Sequence, residues 1–78
     1  MTANQIKNTI QECATLFEFE YQGLDGNVDP YYHGNENFSF LLYFNGEEKT
    51  VYNIDDVMST PFINGKSLNQ IAENLIIE

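Results

Sequence analysis

The chain is 78 residues long and carries 12 carboxylates against three lysines and no arginine, a formal charge of −9. That balance excludes direct binding to nucleic acid or an anionic membrane, both of which need basic side chains to neutralise phosphate. Hydrophobic residues nevertheless make up 42 %, too many for a disordered acidic tail, so one folded domain over residues 1–78 is expected.

Ile6, Ile10, Cys13, Ala14 and Phe17 recur at helical spacing with polar residues between them, which predicts an N-terminal amphipathic helix. Thr2 and Gln5 have the spacing of a capping box at its start. The period then changes to two. Phe17, Phe19 and Tyr21 alternate with Glu18 and Glu20, the pattern of a strand with one buried and one wet face, closed by Gly23.

Residues 23–37 read as a long loop between strands, and a loop of that length in a compact domain is a first place to look for a site. Phe38 to Phe44 is the clearest strand and is expected in the middle of the sheet. Asn45-Gly46 signals a hairpin, with a return strand over about Lys49 to Ile54. A two-residue loop would pair Phe40 with Val51. A three-residue loop, Phe44 to Gly46, sends Lys49 outward instead and is the expected form.

Asp55 is placed to cap a helical turn through Met58, which Pro61 ends. Asn64-Gly65 forms a further turn. Ser67 and Gln70 repeat the capping-box spacing, and Leu68, Ile71, Ala72, Leu75 and Ile76 form the apolar stripe of a final helix. The fold class implied is α+β: an N-terminal helix, a three-stranded antiparallel meander, a short helical turn and a C-terminal helix, with the helices on one face of the sheet.

Calcium is the sharpest chemical reading of the loop. Asp25, Asn27, Asp29 and Glu36 fall at positions one, three, five and twelve of a calcium loop, but Pro30 occupies the position that needs a glycine. The plainer reading is two successive turns. Tyr31 and Tyr32 suggest a protein-binding patch, with a lid over the core as the alternative. His33 has no second histidine to join it in a transition-metal site, and Cys13 lies on the apolar helical stripe as a small buried hydrophobe. Gly65-Lys66-Ser67 imitates the end of a phosphate-binding loop, but Thr60 stands where its first glycine belongs.

Part of the acidity has a local explanation, since Asp55 and Asp56 favour a helix N-terminus and Glu47 and Glu48 sit at a hairpin tip. Glu18 and Glu20, beside Leu41 and Tyr43 on the outward side of the neighbouring strand, have no such explanation. The function expected is therefore a small non-enzymatic protein, without a cofactor, that occupies a basic site on a partner protein through Glu18, Glu20, Asp25, Asp29, Tyr31, Tyr32 and Tyr43. Toxin antidotes, immunity proteins, nuclease inhibitors, anti-restriction and anti-CRISPR proteins act in this way. The alternatives are a calcium or ligand module on residues 23–37 and an accessory or oligomer subunit. A single cysteine, no basic-then-apolar N-terminus and no apolar run of about 20 residues lead to the expectation of a cytoplasmic protein that does not span a membrane.

Overall fold

The computed structural model describes residues 2–13, 16–35 and 37–77, with only the backbone of Cys13 and Ile77. In chain order the elements are α1 (Ala3–Cys13), β1 (Phe17–Tyr21), β2 (Leu24–Gly34), β3 (Asn37–Phe44), β4 (Glu47–Val51), α2 (Ile54–Ser59), α3 (Leu68–Ile71), a 3₁₀ turn (Ala72–Asn74) and β5 (Ile76–Ile77). The strands form one antiparallel sheet in the order β4-β3-β2-β1-β5. The α+β class and the meander stand, with four strands in the meander rather than three and a short fifth at the edge of β1.

The helix starts as its capping box requires. The Thr2 N–H donates to Gln5 Oε1 at 2.8 Å and the Gln5 N–H to Thr2 Oγ1 at 3.2 Å. One turn apart, Ile6 and Ile10 are fully buried against the sheet, each contributing about 1.5–3 kcal/mol of apolar burial. The Cys13 side chain and Ala14, the next members of the expected stripe, lie outside the described residues.

The expected long loop is instead β2. Gln22 and Gly23 both have positive φ, 52° and 79°, and so make a two-residue turn that lays residues 24–28 directly against β1. Two residues that argue against a strand have a packing reason to be there. Gly26 sits opposite Phe19 on β1 and Phe44 on β3, and a Cβ built on it would come within 2.5 Å of the Phe19 ring. The two rings close over the glycine, stacked at 9° with centroids 6.4 Å apart. Pro30 lies two residues past Val28, where the β1 ladder stops, so its missing N–H falls on the side with no partner strand among the described residues.

The hairpin from β3 to β4 corrects the expected three-residue loop. Asn45 (φ 45°) and Gly46 (φ 89°) form a two-residue turn, and Phe40 pairs with Val51. Lys49 therefore lies opposite Leu42, on the helix side of the sheet. That placement costs little because β4 is an edge strand, where Glu47, Glu48 and Lys49 stay exposed and discourage edge-to-edge pairing. β3 is an interior strand, but β2 holds the centre.

Asn53, rather than Asp55, caps α2: its Oδ1 accepts from the Asp56 N–H at 2.8 Å and its Nδ2 donates to Asp56 Oδ2 at 2.9 Å. Asp55 instead meets Lys7 of α1 at 3.0 Å, an exposed pair worth about 0–1 kcal/mol. Gln70 reaches back to the Ser67 N–H at 2.9 Å, as expected. The final helix is shorter than its stripe, however. It ends at Ile71, tightens through Ala72–Asn74, and delivers Ile76 and Ile77 as β5 opposite Glu20 and Phe19. Two consecutive β-branched residues serve better as an edge strand for β1 than as a last helical turn.

A single apolar cluster joins the helices to one face of the sheet, with Phe19, Leu42, Phe44, Val28, Ile63 and Leu68 among its most buried members. Among the described residues the other face carries no helix. No helix among the described residues is long and apolar enough to cross a membrane.

Candidate functional site

Side-chain alternation fixes what each face presents. Phe17, Phe19 and Tyr21 of β1 point to the helices, as do Gly26 and Val28 of β2 and Phe40, Leu42 and Phe44 of β3, all of them buried. The opposite, open face receives Glu18 and Glu20 from β1, Asp25, Asn27, Asp29 and Tyr31 from β2, Leu41 and Tyr43 from β3, and Glu48 from β4. Among the described residues five carboxylates, of the 12 in the chain, thus share one surface. Lys7 is on α1, Lys49 is on the helix side of β4 and Lys66 follows the Asn64-Gly65 turn, so no lysine is there.

Of the seven residues expected to contact a partner, Glu18, Glu20, Asp25, Asp29, Tyr31 and Tyr43 come together on this face. Tyr32 does not. It lies opposite Phe38 on the helix side, its ring tilted against that phenylalanine with centroids 5.1 Å apart. Neither Tyr31 nor Tyr32 is a core lid, since they are 48 % and 63 % exposed.

The electrostatics of the face are unfavourable in the free chain. Glu20 stands directly opposite Asp25. The two-residue turn makes Tyr21–Leu24 a hydrogen-bonded pair, so Glu20–Asp25 is the next, non-hydrogen-bonded pair, where side chains come closest. Like charges in that position are destabilising. Glu18 faces Asn27 one step further along, and Tyr43 faces Glu48. On β2 the phenol of Tyr31 hydrogen-bonds Asp29, which together with the charges of Asp29 and Glu48 holds the phenol above its ordinary value near 10. Tyrosine hydroxyls among carboxylates act as donors, while the ring faces remain available for contact.

The cation reading meets a different geometry from the one it needs. Asp25, Asn27 and Asp29 are on an extended strand, where alternate residues stand about 6.5–7 Å apart and cannot converge on one ion as a calcium loop does. Among the described residues no three His, Cys, Asp or Glu side chains gather as a metal site. Glu36, the fourth ligand of that reading, lies outside the described residues.

His33 is exposed and stands in β2 at a bulge between Tyr32 and Gly34, where its Nε2 lies 2.7 Å from Ser39 Oγ. Ser39 is 7 % exposed. The pair has the elements of a nucleophile and a base. But the Ser39 N–H is directed into the ladder with Tyr31, and a flat sheet face offers no converging N–H groups for an oxyanion. The pair is better understood as fixing the bulge.

Sequence reasoning missed a second feature, a groove of about 290 Å³ on the helix side, between the β2–β3 hairpin, the end of α1 and the β4–α2 connection. Its signal was the apolar surplus of Phe38, Phe40 and Tyr52, which one helix and a short turn cannot cover. Comparison of the chain with protein-family models, with curated proteins and with solved structures finds no match.

Proposed function

We propose that this chain is a small non-enzymatic binding protein that presents the open face of its sheet to a basic site on a partner protein, as an inhibitor, antidote or nucleic-acid mimic does. The carrying observation is the Glu20–Asp25 pair on a surface that gathers five carboxylates and no lysine among the described residues. A chain under selection for stability alone gains by replacing one member of a like-charge cross-strand pair. Retaining both is intelligible if a partner's lysine or arginine sits between them.

The mode of binding follows from the same arrangement. A sheet face is flat and rigid, so little conformational entropy is lost on docking. Clustered negative charge steers a basic partner into encounter, and the exposed ring of Tyr31 and the half-buried ring of Tyr43 supply contact area once water is displaced. Charges are screened over about 8 Å at physiological salt, so the cluster, rather than the net charge, determines the attraction.

The test is capture of basic proteins from a lysate of the cells that make this chain, at low and at raised salt, with the wild type and with Glu18→Gln/Glu20→Gln. Salt-sensitive retention of a discrete partner that the double variant loses is the expected result. Equal retention by both proteins would remove the open face from the reading.

A further inference from the structure

The β2–β3 hairpin extends past the rest of the sheet. On one side, among the described residues, β1 pairs no further along β2 than Val28. On the other, β4 ends at Val51, opposite Phe40, and the chain then leaves the edge to cap α2 through Asn53. Asn37, Phe38 and Ser39 therefore have a partner strand on the β2 side alone among the described residues.

Antiparallel alternation identifies which backbone groups this leaves open. The two-residue turn makes Phe44–Glu47 a hydrogen-bonded pair, so Leu42–Lys49 and Phe40–Val51 are the next two such pairs. The following N–H and C=O directed to that side belong to Phe38. Directly below them on the helix side is the groove, lined by Ile10, Pro30, Phe38, Phe40, Tyr52 and Ile54. Phe38 and Phe40 stack along its wall, centroids 6.1 Å apart, and Tyr52 stands at its mouth, 73 % exposed.

We infer that this notch takes an extended segment of the basic partner, which continues the line of β4 as a short antiparallel strand. Its central residue pairs with Phe38 through both backbone bonds and sends an apolar side chain into the groove. The residues on either side of it then point to the open face, toward the side that carries Asp29, Tyr31 and Glu48, and lysine or arginine suits them there. Strand addition with alternate side chains read by a pocket is a general mode of peptide recognition. A second copy of the chain is a poorer occupant, because it would bring a second net charge of −9 to the same edge. This inference rests on the proposed binding of a basic protein and names the segment of that partner which docks.

The probe is the peptide Lys-Val-Lys-Leu-Lys-Val-Lys with blocked ends, titrated into ¹⁵N-labelled protein. Two analogues carry an N-methyl group, one on the central leucine and one on the lysine before it. The expected result is saturable amide shifts at Asn37, Phe38 and Ser39 and at Tyr52, Asn53 and Ile54, with at least tenfold weaker binding after methylation of leucine and little change after methylation of lysine. Shifts confined to Glu18, Glu20 and Asp25, indifferent to either methyl group, would overturn the notch while leaving the acidic-face reading intact. Absence of any binding at low salt would overturn both. Shifts at the notch that track protein concentration without peptide would make a second copy the occupant and overturn the inference as well.

Discussion

The two faces of this sheet are made by the same strands and obey opposite rules. On the helix side every alternate residue of β1 is an aromatic ring, and Gly26 is a glycine because Phe19 and Phe44 occupy the space above it. On the open side the alternate residues are Glu18, Glu20, Asp25 and Asp29, and one directly opposed pair across the ladder, Glu20–Asp25, is two carboxylates. One face is arranged for packing density and the other against its own electrostatics. The contrast separates residues that hold the fold from residues whose presence the fold does not explain.

The largest effects are expected on the packed face. Phe19→Ala should cost about 3–5 kcal/mol, since it removes a fully buried ring in contact with Phe17, Phe44 and Phe62. Urea denaturation would show it as a lower midpoint at similar slope. Gly26→Ala is a smaller change in mass with a cost of about 1–3 kcal/mol, because the new methyl must displace the Phe19 ring. A neutral result there would mean that the row Phe19, Gly26, Phe44 is loosely packed. Asn53→Ala should lose about 1 kcal/mol through its helix cap, measured in the same way.

The open face should respond in the reverse sense. Glu20→Gln is expected to stabilise the free chain by about 0.2–1 kcal/mol by relieving the pair with Asp25, while weakening partner capture. A variant that gains stability and keeps full binding would break the contrast. Subtler still is Tyr31, whose phenol should titrate above its ordinary value, followed by phenolate absorbance or ring carbon shifts. Asp29→Asn should bring it back toward the ordinary value. The protonated phenol is the form favoured in the fold, so what it adds to stability is complete below the ordinary phenol value and is lost as pH rises through the raised one.

Much of this was legible in the sequence. The period-two run from Phe17 to Tyr21 sorted Glu18 and Glu20 onto the wet face, and both capping boxes read correctly. The missed strand β2 alternates too, Asp25, Asn27, Asp29 and Tyr31 against Gly26, Val28 and Pro30. A glycine and a proline in that run read as turns, because what permits them is tertiary: two rings from neighbouring strands over Gly26 and the end of the β1 ladder before Pro30. The β3–β4 register was missed for a similar reason. Lys49 on the helix side looks wrong until β4 is seen to be an edge strand. Local pattern also favoured helix for Leu75 and Ile76, and only the open edge of β1 made β5 the better use of the segment.

The open face as contact surface is tested most directly by two variants of equal net charge. Glu18→Gln/Glu20→Gln/Asp25→Asn neutralises the open face, and Glu12→Gln/Glu47→Gln/Glu73→Gln removes the same number of exposed carboxylates elsewhere. Partner retention at fixed low salt should fall at least tenfold for the first and stay near the wild type for the second. Equal losses would mean that only net charge matters and would contradict the account.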